Sequence, residues 1–517
     1  MASMRKTLLC LILIAPLLSA AELSGTWKFQ PPPNPQAPPN RQPRETVYVF
    51  KVDGTHFTGT AVAGGISDIL NGVIDGNHIT FDRLEQNGSK VPYKGDINGD
   101  ELTVQMSNPP APPPNGRGRG GRGPQGPAVL KHFSADTEYK LPAGMEHKPF
   151  GPFKAIGSNG LAKTPPMGWN SWNKFARNVD DKSVRGMADA IVSSGMRDAG
   201  YIYVNIDDTW EAPQRDSSGN IQTNEKFPDM KALADYVHSK GLKLGIYSGP
   251  GPLTCAGYIA SYNHEDQDAK TWASWGIDYL KYDWCSANQV YHPGEMKSAY
   301  LKMGLALRAA KRPIIFSLCQ YGDQNVQEWG AEVGGNLWRT TGDIRDSWDS
   351  MSRIGFDQQM GREKYANPGH WNDPDMLEIG NGGMTDVEYR THMSLWSILA
   401  APLLAGNDIR SMTDSIKGIL TNKEVIAIDQ DKEGAQGVRI RQDGELEVWK
   451  KPLAKGVAVG LFNRGKDQAN MTVKWSELGI TRKNPKVRDL WSHQDVVAPD
   501  SYSVDVPSHG VVMLRVE

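Results

Sequence analysis

The sequence predicts an α/β fold: a (β/α)8 barrel, followed by an antiparallel β-sandwich and preceded by a small all-β domain. In the middle of the chain, apolar strands alternate with amphipathic helical segments. The sequence before this region and the sequence after it carry the turn signals of β-hairpins. At 517 residues the chain is also too long for one ordinary domain. We expect the all-β domain over residues 22–145, a linker over 146–163, the barrel over 164–431 and the sandwich over 432–517.

The N-terminus has the pattern of an export signal. Arg5 and Lys6 precede an apolar run from Leu8 to Leu18, and small residues suited to cleavage follow at 19–21. The run is short for a membrane span, so we expect no membrane insertion. Cys10 lies inside the run rather than after it, which argues against a lipid anchor. We therefore expect removal of residues 1–21 and a periplasmic or secreted protein.

Residues 22–145 carry three hairpin signals, Asp53-Gly54, Asp75-Gly76 and Asn98-Gly99, each between short β-prone stretches. They predict an antiparallel β domain, with a sandwich and an open barrel as the two alternatives. Pro- and Gly-rich inserts interrupt it at 31–39 and 109–127, and such composition forms no packed core.

Charge limits the partners of this chain. The formal net charge is −2, which favours no polyanion partner, and we expect no nucleic-acid binding. The Arg-Gly stretch at 116–123 is interpreted as a solvated loop because it is brief and lacks interleaved aromatics. Contact of this stretch with RNA or an anionic polysaccharide is the alternative, and polysaccharide contact by the N-terminal domain stays open.

The barrel prediction depends on strands that are apolar on both faces, as parallel strands covered by helices are. The intervening stretches 182–199 and 230–240 have helical periodicity. An open doubly wound sheet is the alternative, but no glycine-rich phosphate loop follows the early strands. The predicted strands are Tyr201–Ile206, Leu242–Tyr247, Ile277–Tyr282, Ile314–Leu318 and Leu337–Thr340.

After residue 431 the helical periodicity stops. Asp443-Gly444 marks a hairpin, and the stretches 446–449, 457–462 and 502–516 are strand-like. These features predict the C-terminal antiparallel β-sandwich.

Three cysteines remain after removal of the signal. Cys255 and Cys285 both follow predicted strand ends, so we pair them in a disulfide, as an oxidising compartment allows. Cys319 ends an apolar run and is expected to be a buried free thiol.

Two aspartates stand at the ends of different predicted strands. Asp283 ends the run 279–283, and Asp343 follows the run beginning at Leu337. A carboxylate at the end of an apolar strand does not contribute to core packing, so the pair indicates a catalytic role. Either residue alone could instead cap the following helix. Two carboxylates delivered to one site are what glycoside hydrolysis requires.

Further charged residues follow neighbouring strands. Asp207 and Asp208 are suited to sugar hydroxyls, and Lys281, two residues before Asp283 on the same strand face, is expected to keep Asp283 ionised. So many acids on one rim would repel each other, so some must be protonated or paired with Lys281 or Arg339. The histidines show no compact metal-ligand spacing, so we expect no metal and no cofactor.

The motifs resemble glycoside hydrolase family 27, the melibiase-type α-galactosidases, from about Gly160 to Glu517. The matching segments, in the order that is typical of the family, are residues 165–172 (PPMGWNSW), 206–210 (IDDTW), 243–248 (KLGIYS), 281–283 (KYD), 339–348 (RTTGDIRDSW) and 371–376 (WNDPDM).

The resemblance implies a retaining exo-glycosidase that releases terminal α-D-galactosyl residues, with Asp283 as nucleophile and Asp343 as acid/base. It also fits the Cys255–Cys285 disulfide. The remaining positions implied for sugar binding are Asp207 and Asp208 at the 4- and 6-hydroxyls, Lys281 at the ring hydroxyls, Arg339 and Asp375 near the 2-hydroxyl, Gln320 in the loop facing the 2-position, and Trp172 and Tyr247 in the pocket.

One loop departs from the family pattern. Where the family commonly has Glu-Trp after the fifth strand, this chain has Gln320-Tyr321-Gly322. A neutral amide both donates and accepts hydrogen bonds, so a 2-hydroxyl stays plausible. α-N-acetylgalactosaminidase and β-L-arabinopyranosidase activities, and carbohydrate binding without turnover, are the alternatives.

Overall fold

The computed structural model describes residues 22–31, 45–109 and 127–517. The predicted export signal and most of both low-complexity inserts lie outside these ranges. The chain divides into two compact units. The first comprises the described residues up to Glu146 with Asn288–Gly294, and the second comprises His147–Ala287 with Glu295–Glu517.

The first unit is a closed antiparallel barrel. Each strand pairs with the next, and the first pairs with the eighth, so the closed barrel replaces both the sandwich and the open barrel expected from sequence. The strands are β1 (Gly25–Phe29), β2 (Thr46–Asp53), β3 (His56–Val62), β4 (Ile66–Asp75), β5 (His78–Leu84), β6 (Lys90–Asn98), β7 (Glu101–Met106) and β8 (Ala128–Ser134).

All three predicted hairpins of this unit are confirmed as two-residue connections. Gly54, Gly76 and Gly99 stand directly after β2, β4 and β6, with φ of 62°, 61° and 60°, a backbone region that favours glycine. The strands alternate exposed and buried residues, and the inward side chains, Trp27 and Phe50 among them, form one aromatic-rich core. Closure gives every strand two neighbours and removes exposed edges.

The second unit begins with eight parallel strands: β9 (Met167–Asn170), β10 (Tyr203–Asn205), β11 (Lys243–Ser248), β12 (Tyr279–Asp283), β13 (Ile315–Cys319), β14 (Leu337–Arg339), β15 (Trp371–Asp373) and β16 (Leu403–Ala405). β16 pairs with β9, and a bridge between Leu377 and Ala405 joins the two remaining edges. The predicted (β/α)8 barrel is therefore confirmed.

The helices of this unit are α1 (Trp172–Phe175), α2 (Asp181–Ser193), α3 (Met196–Ala199), α4 (Met230–Ser239), α5 (Glu265–Trp275), α6 (Met296–Ala309), α7 (Trp348–Ser352), α8 (Asp386–Ile398), α9 (Asp414–Leu420) and α10 (Lys423–Asp429). The predicted helix 182–199 is two helices, because Gly195 adopts φ of 85° after α2 ends. Asp180 caps α2 by accepting a hydrogen bond from the Ser183 amide.

The inside of the barrel changes from apolar to charged along the strands. Period-two alternation places Tyr279, Lys281 and Asp283 of β12 on one face. The first residues of five strands, Tyr203, Tyr279, Ile315, Leu337 and Trp371, pack in one apolar cluster. The charged side chains therefore collect toward the carboxyl ends of the strands, where barrel enzymes place their sites.

After the barrel come β17 (Val438–Asp443), β18 (Leu446–Pro452), β19 (Val457–Asn463), β20 (Ala469–Lys474), β21 (Val487–Asp489), β22 (Gln494–Val496), β23 (Ser501–Val506) and β24 (Val511–Val516). They form a six-stranded and a two-stranded antiparallel sheet around a shared core, which confirms the predicted sandwich and its Asp443-Gly444 hairpin. Within the described ranges, the helices are too short or too polar to cross a membrane.

Candidate active site

Asp283 is the last residue of β12 and is only 4% exposed. Its Oδ1 accepts a hydrogen bond of 2.7 Å from the Tyr321 hydroxyl. Burial raises the pKa of Asp283, and the negative charges of Asp207 and Asp343 add to that rise, while Lys281 and the Tyr321 hydrogen bond oppose it. The structure therefore places a buried carboxylate with a raised pKa at the carboxyl end of β12.

Asp343 lies in the loop after β14, and its side chain is 62% exposed. Its Oδ1 lies 3.2 Å from Nη2 of Arg339, which also contacts Oδ2 of Asp375 at 2.9 Å. Arg339 and Asp375 are buried, so one guanidinium connects a buried acid to an exposed one. The two predicted catalytic aspartates thus occupy contrasting environments.

Asp207 and Asp208 follow β10 and are both buried. Asp207 Oδ2 lies 2.9 Å from Lys281 Nζ and accepts a second hydrogen bond from the Asn170 amide at 2.9 Å. Asp208 accepts hydrogen bonds from the backbone amides of Thr209 and Ala256. Burial raises the pKa of Asp208 to about 6 despite these donors.

The ion pair of Lys281 refines one expectation. Lys281 was expected to keep Asp283 ionised, and its charge does lower the pKa of Asp283, but its 2.9 Å partner is Asp207. Burial alone would lower the pKa of Lys281, whereas Asp207 above all, with Cys319 and Asp283, raises it well above its usual range. Lys281 is therefore a firmly charged cation shared by two carboxylates, and burial still dominates at Asp283.

The other predicted site residues also follow or end barrel strands. Tyr247 is buried in β11, and its ring centroid lies 5.4 Å from Lys281 Nζ. Gln320 directly follows β13, and in the described structure neither polar atom of its buried amide has a hydrogen-bond partner. Trp172 begins α1 just after β9 and is partly exposed. Every residue predicted for the site thus lies near the carboxyl ends of the strands.

The disulfide between Cys255 and Cys285 is present, with a Cα–Cα distance of 5.0 Å, and Cys319 is a buried free thiol, so both predictions are confirmed. In the described ranges, one group of potential metal ligands was found, formed by Asp283 and these two disulfide cysteines. Sulfurs joined to each other offer no thiolate, so this group is unsuited to a metal.

Three further residues lie beside the predicted site residues but were given no individual role from sequence. Tyr321 reaches Asp283, although it was recognised only as a departure from the family loop. Asp373 is the last residue of β15, and burial raises its pKa to about 6. Glu211 is buried beside Asp208 and accepts from the same Thr209 amide at 3.1 Å. The sequence signal that could have placed Glu211 near the site is its position directly after the IDDTW motif.

Comparison with known proteins agrees with this geometry. Residues 164–431 match the model of the family "Alpha galactosidase A", and residues 443–516 match its C-terminal β-sandwich domain. Alpha-galactosidase A of Cellvibrio japonicus is 50% identical over 379 residues, which cover 69% of this chain and 92% of that protein.

Solved structures extend the comparison. The structure of α-galactosidase I from Mortierella vinacea covers 69% of this chain and 98% of its own, with 40% identity and a TM-score of 0.67. The Bacteroides fragilis protein BF1418 covers 96% of this chain and 95% of its own, with 32% identity and a TM-score of 0.66.

Fold and site together define a glycoside hydrolase barrel with paired acids at the carboxyl ends of its strands. The matched segments are specific enough to assign the chain to one family of such enzymes. The chain belongs to the α-galactosidase A family, the melibiase-type enzymes of glycoside hydrolase family 27, and the resemblance found in the sequence is confirmed.

The buried cation at position 339 is predicted to matter for stability. In Arg339→Met, the buried Asp375 carboxylate loses its partner, so we expect the free energy of unfolding at pH 7 to fall by about 3–5 kcal/mol. Urea unfolding followed by tryptophan fluorescence measures this. The control is Lys231→Met on α4, where the pair with Asp235 is exposed and should contribute at most about 0.5 kcal/mol. Equal effects of the two substitutions would contradict the assignment.

Proposed function

We propose that this chain is a retaining exo-α-galactosidase, which releases terminal α-D-galactosyl residues through a covalent glycosyl-aspartate intermediate. The observation that carries the proposal is the contrast between two acids at one barrel mouth. Asp283 is buried among charges, whereas Asp343 is exposed and held by Arg339. A nucleophile works best where water is excluded, and an acid/base must reach both the leaving group and water.

In the first step, Asp283 attacks the anomeric carbon while the bond to the leaving oxygen breaks and Asp343 protonates that oxygen. In the second step, Asp343 removes a proton from water, the water oxygen attacks the anomeric carbon, and the ester to Asp283 breaks. Two inversions return the original configuration. A separation of about 5 to 5.5 Å between the two carboxyl groups belongs to this mechanism.

The remaining charged groups position the sugar. Asp207 and Asp208 present oxygens whose orientation is held by backbone amides, Asn170 and Lys281. Carboxylates held in this way accept hydrogen bonds from sugar hydroxyls without reorganising, which favours one sugar configuration. By family position these are the 4- and 6-hydroxyls, which distinguish a galactoside from sugars of other configuration.

Asp283→Asn tests the nucleophile. The amide has nearly the same shape but cannot form the ester, so kcat toward an aryl α-galactoside should fall at least roughly 10⁴-fold. Because burial raises the pKa of Asp283, its ionised form costs stability at neutral pH, and the neutral amide should leave the melting temperature unchanged or higher. Asp235→Asn on the exposed face of α4 is the control. Activity near that of the wild type would refute the mechanism.

Specificity is tested by comparing aryl α-galactoside, α-N-acetylgalactosaminide and β-L-arabinopyranoside. The arabinopyranoside lacks the 6-hydroxyl and would leave the Asp207–Asp208 pair, which is buried, without one hydroxyl partner, so we expect kcat/KM at least about tenfold below that of the galactoside. An acetamido group must fit beside Gln320 and Arg339, both buried, and should react more slowly still. A higher kcat/KM for either alternative substrate would reassign the activity while leaving the mechanism intact.

The location proposed for the enzyme is outside the cytoplasm. The basic start, the apolar run from Leu8 to Leu18 and the small residues at 19–21 support export, and the Cys255–Cys285 disulfide is suited to an oxidising compartment. N-terminal sequencing of the mature protein from the producing cells should begin near residue 22. An intact first residue in cytoplasmic material would contradict export.

A further inference from the structure

The hydroxyl of Tyr321 contacts the reacting group of the proposed mechanism. Tyr321 Oη donates a 2.7 Å hydrogen bond to Asp283 Oδ1. The two residues are adjacent in space because Asp283 of β12 pairs with Cys319 of β13, two residues before Tyr321. A tyrosine that donates to a buried carboxylate makes a charge-assisted bond, which is stronger than a bond between neutral groups.

The backbone holds Tyr321 in a conformation that costs energy. Its φ is 63°, in the left-handed region that bulky residues rarely adopt, and Gly322 follows with φ of 87°. A side chain at Gly322 would approach the Thr340 carbonyl oxygen to 2.3 Å, so the loop lies directly against the segment after β14. Strain of this kind persists only where the surroundings impose it, and it is concentrated at functional sites.

Among the described groups around the Tyr321 hydroxyl, Asp283 offers the strongest hydrogen-bond acceptor. The sulfurs of Cys255 and Cys285 lie 3.7 and 3.8 Å from Tyr321 Oη, and the guanidinium of Arg339 lies 5.8 Å from the ring centroid. Burial, with the negative charge of Asp283, raises the pKa of Tyr321 far above the neutral range, so the phenol stays protonated. Tyr321 is therefore a permanent donor directed at one carboxylate oxygen.

We propose that Tyr321 is the positioning residue of the nucleophile: it binds Oδ1 of Asp283 and thereby leaves Oδ2 to attack the anomeric carbon. This inference rests on the proposed function. In the glycosyl-enzyme, Oδ1 becomes the ester carbonyl and keeps the hydrogen bond. When water displaces the ester, negative charge returns to the carboxylate and the bond strengthens. Tyr321 thus stabilises the departing carboxylate in the second step.

The charge state of Asp283 depends on groups from every element around it. Tyr321 and Lys281 favour the ionised form, whereas burial and the two other carboxylates oppose it. The titratable groups that face Asp283 are Asp207 after β10, Tyr247 of β11, Lys281 of β12, Cys319 and Tyr321 at and after β13, Tyr300 of α6 and Asp343 after β14. Removal of the Tyr321 hydroxyl should therefore raise the pKa at which Asp283 becomes protonated.

Tyr321→Phe removes only the hydroxyl. We expect kcat toward an aryl α-galactoside to fall roughly 10- to 100-fold, as for loss of a hydrogen bond to a charged group, with KM changed less than about threefold. The acidic limb of the kcat/KM profile should move up by about one pH unit, because the nucleophile must be ionised in the free enzyme. A residue with only a structural role would leave that limb in place.

The matched control is Tyr236→Phe, which removes a tyrosine–carboxylate hydrogen bond of 2.8 Å to Asp189 between two surface helices and should leave kcat and the pH profile unchanged. Tyr321→Met is the second variant, which decides the question if the phenylalanine variant does not fold. An unshifted acidic limb with normal kcat in a folded variant would overturn the inference.

The proposed function can fail separately from this inference. Wild-type enzyme that does not hydrolyse the galactoside, or an active Asp283→Asn variant, rejects the mechanism itself. If the wild type is active, the Asp283→Asn variant is inactive, and the Tyr321→Phe variant keeps the wild-type kcat and pH profile, only the role of Tyr321 is rejected.

Discussion

The site depends on the balance of charge inside the upper part of the barrel. Lys281, whose side chain is 14% exposed, and the buried Arg339 are the cations around which Asp207, Asp283 and Asp375 are arranged. Burial raises the pKa of Asp283 and of Asp375, and the positive charges of Lys281 and Arg339 oppose that rise. Lys281 is paired with Asp207 and Arg339 with Asp375, whereas the hydrogen bond that Asp283 receives comes from the neutral Tyr321 hydroxyl.

The barrel supports this balance by separating apolar from charged side chains along its axis. Tyr279 begins β12 in an apolar cluster, and Asp283 ends the same strand among charges. The neighbouring strands β10 and β11 pack tightly inside the barrel. A Cβ atom added at Gly245 of β11 would lie 2.0 Å from Oδ1 of Asn205 in β10, so this position requires glycine. The charged side chains therefore lie at the carboxyl ends of the strands, where barrel enzymes place their sites.

Much of the architecture followed from local patterns. Apolar runs located β10 to β14 to within about two residues, as is usual for pattern-based boundaries. Glycines at 54, 76 and 99 located three hairpins because a two-residue connection needs a positive φ. Closure of the N-terminal barrel could not be predicted from the sequence. It requires Thr26 of β1 to pair with Ser134 of β8, and no local sequence pattern identifies a pairing partner so far along the chain.

By itself, the sequence determined the fold class, the family and the candidate catalytic residues. Asp283 ends an apolar strand and Asp343 follows another, and the motifs around Lys281 and Arg339 identify the family. Only the tertiary structure decided which charge meets which: Lys281 contacts Asp207, 74 residues away, and Tyr321 contacts Asp283, 38 residues away. The order and register of the strands decide which of these side chains come within contact distance, and burial then shifts their pKa values. Neither the contacts nor the pKa shifts can be deduced from spacing along the chain.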